Sequence, residues 1–136
     1  MLKFMLDTNI VIYVIKRKPL EVLETFNRYA GQMCISSITL AELFHGVEKS
    51  EMPERNLKRV EDFISRLDVL QYDDKAAAHY GSIRADLERK GETIGVNDLY
   101  IAGHARGEGL VLVSNNLREF ERVDGLRLEN WIKNRG

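Results

Sequence analysis

Leu2-Lys3-Phe4-Met5-Leu6-Asp7-Thr8-Asn9 opens the chain with a short, nearly unbroken apolar run that stops at three polar residues. A run apolar on both faces and closed by turn-forming residues suits a strand buried inside a parallel sheet. Near the other end, Leu110-Val111-Leu112-Val113 has the same character and is cut off by Ser114-Asn115-Asn116. Met33-Cys34-Ile35, Val69-Leu70-Gln71-Tyr72 and Leu126-Arg127-Leu128-Glu129 supply three further strand candidates. Helical periodicity fills the intervals. A helix is expected from Asn9 to Lys16, and another opens at Pro19, with Val22, Leu23, Phe26 and Ala30 on one face and Gly31 as its stop. A third follows Ser36-Ser37 and carries Leu40, Leu43, Phe44 and Val47; a fourth opens at Pro53 with Leu57, Val60, Ile64 and Leu67. Ala76, Tyr80, Ile83 and Leu87 mark a fifth, ended by Gly91. Leu99 to Arg106 forms a sixth, stopped by Gly107 and Gly109, and Leu117 to Phe120 a short turn. Strands alternating with helices predict an α/β sandwich around a mainly parallel central sheet of about five strands.

The 136 residues, 44% hydrophobic and 30% charged with only two prolines, fit one ordered domain with its own core. No repeat, low-complexity tract or linker divides it. Cys34 is the single cysteine and lies in an apolar run, so an internal disulfide is excluded and a buried thiol in a reducing cytoplasm is expected. The chain opens without a charged-then-apolar leader, and no apolar run approaches the ~20 residues of a membrane span, so secretion and membrane insertion are disfavoured. A net charge of -1 argues against a broad electrostatic grip on nucleic acid. Any such grip must be local, and Lys16-Arg17-Lys18, Arg84, Arg89, Arg106, Arg118 and Arg122 are the basic residues available for it, each also explained as solvated surface.

Ligands of α/β sheets lie beyond the carboxyl ends of the strands. Asp7 and Ser114 to Asn116 stand there directly, and Glu42 and Asp98 can reach the same edge from helix starts. Each has a structural explanation too. Asp7-Thr8 can cap the following helix, Thr39-x-x-Glu42 matches a capping box, and Asn97-Asp98 resembles a helix start, each cap contributing ~1 kcal/mol. Taken together they change the weighting. Carboxylates gathered at one edge repel, raise one another's pKa and cost stability unless a cation neutralises them. Oxygen donors suit Mg²⁺, with Mn²⁺ as a substitute, and the lone cysteine and three histidines have no zinc-ligand spacing. His45 is read as a neighbour on the face of Glu42, and His79 and His104 as ordinary helix residues. The second acidic position of a haloacid-dehalogenase-type Asp-x-Asp is Asn9 here, no receiver-type phosphorylation site can be placed, and no P-loop or Gly-x-Gly-x-x-Gly is present. On the residues alone, other carboxylate–metal folds stay open.

Four stretches in order carry a resemblance that runs almost end to end. They are Leu6-Asp7-Thr8-Asn9; Ser36-Ser37-Ile38-Thr39-Leu40-Ala41-Glu42-Leu43 with Gly46; Asn97-Asp98 with Ile101-Ala102; and Val113-Ser114-Asn115-Asn116 with Glu119-Phe120. In these the chain resembles the PIN-domain ribonucleases, specifically the VapC toxins of bacterial toxin–antitoxin pairs, and Gly125 to Trp131 is similar to their enterobacterial branch. The resemblance implies a three-layer α/β/α PIN-like sandwich, residues 1–136 as a single PIN domain, and a metal-dependent endoribonuclease. Asp7, Glu42 and Asp98 take the family's metal-binding positions. The fourth position, usually Asp, is Asn116, so Glu119 is expected to supply the missing carboxylate, with Thr8 and Ser114 orienting the acids. It further implies cleavage of initiator tRNA in the anticodon stem-loop, arrest of translation, a homodimer, and a VapB antitoxin whose complex binds operator DNA. The helices bearing Val22, Leu23 and Phe26 and Leu57, Val60 and Ile64 are expected to offer that partner an apolar surface, with core packing as the alternative. The competing function is a PIN-like module that binds RNA or a partner without cutting, its chemistry lost through Asn116; a nuclease acting on DNA or another RNA is a second.

Overall fold

The computed structural model describes residues 1–132, so the expected 1–136 domain runs four residues beyond them. The elements follow in the order β1 (Phe4–Leu6), α1 (Thr8–Lys16), α2 (Leu20–Arg28), β2 (Met33–Ser36), α3 (Ser37–Glu48), α4 (Pro53–Ile64), β3 (Asp68–Leu70), α5 (Asp74–Lys90), α6 (Val96–Glu108), β4 (Val111–Val113), α7 (Leu117–Phe120) and β5 (Leu128–Glu129). All strand pairs are parallel, in the order β3-β2-β1-β4-β5, with Phe4 opposite both Met33 and Val111 and Leu6 opposite Val113. β1 and β4 therefore end side by side in the middle of the sheet. The main chain closes the junction, with Asp7 N donating to Val113 O at 2.9 Å.

Alternation along the strands divides the core into two layers. Phe4, Leu6, Met33, Ile35, Val111 and Val113 face α1 to α4, whereas Met5, Cys34 and Leu112 face α5, α6 and Phe120 of α7. Three layers of helix, sheet and helix result, as expected, because both faces of each central strand are apolar and each needs a cover. Cys34 is fully buried as a free thiol, and burial pushes its pKa up to about 12. Among the described residues no helix is long and apolar enough to cross a membrane.

Several boundaries differ from the sequence expectation, each for a local reason. Ala30 is exposed beyond the end of α2 rather than on its stripe. β3 starts at Asp68 and stops at Leu70, because Tyr72 N turns away to donate to Ser37 Oγ at 3.2 Å. β5 is two residues long, pairing Leu128 with Leu112 and Glu129 with Val113. Gly107 does not stop α6 but lies within it, where a Cβ would sit 3.3 Å from the His79 ring; Gly109, at φ +69°, is the terminator. The apolar partner surface expected on α2 and α4 is largely core: Val22, Phe26 and Val60 are buried, Leu23 and Ile64 half-buried, and Leu57 alone of the six is exposed.

Candidate functional site

Asp7 is the first residue after β1 and the N-cap of α1, its Oδ1 accepting from Thr8 N at 2.8 Å. Its other oxygen, Oδ2, accepts from Ser114 Oγ at 2.9 Å across the junction with β4. The Ser114 hydroxyl in turn accepts from Asn116 N at 2.9 Å, which turns the chain sharply after the strand. Capping and a place at the sheet edge are thus compatible in Asp7: one oxygen holds the helix start and the other faces the neighbouring strand end.

Glu42 is brought to Asp7 through Thr8, whose Oγ1 donates to Glu42 Oε1 at 3.2 Å. The capping box expected at Thr39 and Glu42 does not form. Ser36 caps α3, accepting from Ile38 N at 3.1 Å, so Thr39 lies inside the helix and is buried, while Glu42 sits about one and a half turns in with its carboxylate free to reach the edge. Asn97 and Asp98 likewise do not cap. Gly95 takes that position and Asp98 falls in the first turn of α6, where the unpaired N–H groups favour a negative charge. Asn116 Nδ2 donates to Asp98 Oδ2 at 3.4 Å, and Glu119, presented by α7, hydrogen-bonds the same carboxyl group.

The electrostatics bind these residues into one unit. Burial raises the pKa of Asp7 and outweighs the opposing bonds from Ser114 and Thr8. Burial also raises Glu42, and the Asp7 charge adds to it. Asp98 is pushed up to about 7, first by burial, then by the shared hydrogen bond with Glu119, and further by the charges of Asp7, Glu119 and Glu42. Three of the four carboxyl groups are thus held above their ordinary range by lost hydration and mutual repulsion. Among the described residues, no three Asp, Glu, His or Cys side chains are drawn together closely enough to ligate one cation as they stand. The tight convergence expected from sequence is therefore an electrostatic neighbourhood rather than a closed cage. Like charges keep apart until something neutralises them, and an all-oxygen donor set of raised pKa fits a hard divalent cation.

Two contacts at this edge escaped the sequence reading. Asn115 Nδ2 donates to Tyr13 Oη at 3.2 Å and ties the turn after β4 to α1. His104, read as an ordinary helix residue, is fully buried with Nδ1 2.7 Å from Ser36 Oγ, bracing the start of the helix that carries Glu42. A histidine inside the otherwise apolar run Ile101 to Ala105 was the available signal. His45 is exposed, and His79 Nδ1 accepts from Arg106 Nε at 2.9 Å.

Comparison with known proteins agrees with this geometry. Residues 4–126 match the PIN domain family. The chain is 67% identical over 132 residues to a protein named ribonuclease VapC2 from Haemophilus influenzae, covering 97% of this chain and all of that one. It is 63% identical over 131 residues to the tRNA(fMet)-specific endonuclease VapC of Shigella flexneri, covering 96% and 99%. Its backbone superposes with a TM-score of 0.93 and 61% identity on a chain of the DNA-bound VapBC crystal structure from Salmonella typhimurium, covering 97% and 100%. PIN-domain nucleases as a class use divalent metal ions. Family match, relatives and site agree that the chain belongs to the PIN-domain family and, within it, to the VapC ribonucleases.

Proposed function

We propose that residues 1–136 work as one PIN domain, an Mg²⁺-dependent endoribonuclease toxin that cuts initiator tRNA in its anticodon stem-loop and so stops translation. The observation that carries the reading is the meeting of Asp7, Glu42, Asp98 and Glu119 around the strand junction closed by Ser114 and Asn116. The substrate rests on the Shigella and Salmonella relatives, 63% and 62% identical and both named tRNA(fMet)-specific endonucleases.

Asp7, Glu42 and Asp98 would hold the cation, with Mn²⁺ as a substitute for Mg²⁺. A bound ion would supply Lewis acidity for activating water and for offsetting charge on the phosphoryl oxygens. Thr8 and Ser114 aim the carboxylates by their bonds to Glu42 and Asp7. One carboxylate, Asp98 or its neighbour Glu119, takes the proton released by the attacking water. Asn116 keeps Asp98 in place without adding charge, which is why Glu119 is needed. No side chain forms a covalent bond to the RNA, so the products carry 5′-phosphate and 3′-hydroxyl ends.

The partner is a VapB-type antitoxin, and the assembled homodimeric complex binds operator DNA in the cytoplasm. This part is supported by VapBC complexes, two of them DNA-bound, among the similar structures. The deciding experiment incubates antitoxin-free protein with total tRNA, in Mg²⁺ and in EDTA, beside Asp7→Ala. Mg²⁺-dependent loss of one tRNA, absent in the variant, is the expected result. Intact tRNA with folded wild-type protein would turn the argument to another RNA or DNA, or to a PIN module that binds without cutting.

A further inference from the structure

A second feature of the surface lies away from the acidic edge. It is a groove of about 690 Å³ between α1, α2 and α4, and its walls carry Lys16, Arg17, Lys18, Lys58, Arg59 and Arg66 against the single carboxylate of Asp62. Six cations against one carboxylate leave the groove at +5 on a chain of net charge -1, so the remainder carries -6. Arg66 is paired with Asp62 at 3.2 Å; among the described residues none of the other five cations is in an ion pair. Val14 and Phe63 beneath them are closed into the core and Ile15 and Leu23 are half-buried, so the groove has an apolar floor with its charge on the exposed side chains around it, predominantly positive.

The groove is also connected to the acidic edge. Asn9, Tyr13 and Lys16–Arg17 follow one another at helical spacing, so they share one face of α1. Asn9 is in the turn after Asp7, and Tyr13 accepts from Asn115 beside Ser114. Lys16 begins the groove, ~14 Å from Asp7 by the rise of the helix. A strand whose scissile phosphate sits at the carboxylates would be repelled there by their charge unless cations elsewhere hold its neighbouring phosphates. The groove supplies them on a path along α1.

Resting on the ribonuclease reading, we propose that the groove between α1, α2 and α4 is the track for the RNA phosphate backbone, with Lys16, Lys58 and Arg59 neutralising phosphates remote from the cut. These cations position the RNA and take no part in the chemistry. Removing them weakens RNA binding and its salt dependence while leaving the bond-breaking step intact.

The test compares wild type, a Lys16→Ala/Lys58→Ala/Arg59→Ala variant and a Lys16→Arg/Lys58→Arg variant. Binding to purified initiator tRNA is measured in EDTA across a salt series, cleavage in Mg²⁺, and affinity for a VapB-type antitoxin separately. The alanine variant should raise KM about 10-fold or more with kcat unchanged and make the log–log salt slope shallower by about 2 to 3, near 0.9 for each lost phosphate contact. The arginine variant, which keeps the charge and controls for folding, should match wild type. Unchanged KM and slope in a wild-type-active background would overturn the track. If antitoxin affinity alone fell, the groove would belong to the protein partner instead. Failure of wild type itself to cut or bind RNA would refute the underlying ribonuclease reading, a result separable from either.

Discussion

Ser114 Oγ lies 2.9 Å from Asp7 Oδ2, joining the ends of the two central strands by a side-chain bond between residues 107 positions apart in the chain. The same hydroxyl accepts from Asn116 N, so one buried oxygen fixes both the Asp7 rotamer and the turn that presents Asn116 to Asp98. Ser114→Ala should therefore cost about 10–100-fold in kcat/KM or metal affinity, the range for groups that orient a metal-binding side chain, with Ser114→Thr largely retaining activity. Isothermal titration with Mg²⁺ beside the cleavage assay checks this. An alanine variant with wild-type affinity and rate would remove Ser114 from the site.

The raised pKa of Asp98 predicts an unusual stability profile for metal-free protein. Its folded value of about 7 stands above the unfolded 3.8, so the folded state keeps a proton that the unfolded state releases. This contribution is present at low pH and is lost as pH rises through 7. Asp98→Asn removes the charge and should stabilise the protein in EDTA at pH 8 by about 1–2 kcal/mol, a shift discounted for the half-exposed carboxyl, while abolishing cleavage. The gain should shrink as pH falls and disappear below the unfolded value of 3.8, so that it is much smaller at pH 4.5. Glu119→Gln should recover part of it, since Glu119 contributes to the rise. Thermal melts at the two pH values decide the point, and equal melting temperatures for wild type and Asp98→Asn at pH 8 would contradict the electrostatic account.

His104 works in the opposite direction. Burial lowers its pKa, more than the charges of Glu108 and Asp73 raise it, so the folded state holds the neutral ring. Stability from this residue is complete above the unfolded value of 6.5 and is lost as pH falls below it. His104→Gln keeps an acceptor for Ser36 Oγ without a titrating ring. It should be less stable than wild type at pH 8, and the gap should narrow at pH 5. The difference between the two melting curves is the observable, because Asp98 contributes with the opposite sign over the same range. A gap independent of pH would show that His104 packs without titrating.

What sequence reading could and could not find follows from the range of the forces involved. Asp7 and Ser114 were legible because each directly follows an apolar run, so the strand itself announces the edge. Glu42 was legible as an acid near that edge, but its partner was misassigned. Thr39 has capping-box spacing, and only the hydrogen bond to Ile38 N shows that Ser36 caps the helix first. Periodicity named the apolar faces of α3 and α4 but not how far each is covered, and Phe44 and Leu57 are 39% and 38% exposed. The basic groove was invisible as a unit. Lys16 to Lys18 read as a surface run, and Lys58 and Arg59 join them only when α4 packs beside α1.

Gly103 provides the sharpest stability test because its reason is purely steric. A Cβ there would meet Tyr80 N at 2.9 Å and Ala76 O at 3.1 Å, backbone atoms of α5 that cannot swing aside. α6 must lie this close to α5 for Asp98, five residues earlier on the same helix, to stay at the edge. Gly103→Ala should destabilise the protein by about 1–3 kcal/mol through overpacking despite the better helix propensity of alanine. It should also depress Mg²⁺ affinity by displacing the start of α6. Gly81, on α5 with open space around its Cβ position, is the matched control: Gly81→Ala should stabilise by about 0.5–1 kcal/mol and leave cleavage unchanged. Urea unfolding of both variants decides the matter, and equal effects at the two positions would mean that α6 can withdraw from α5 without cost.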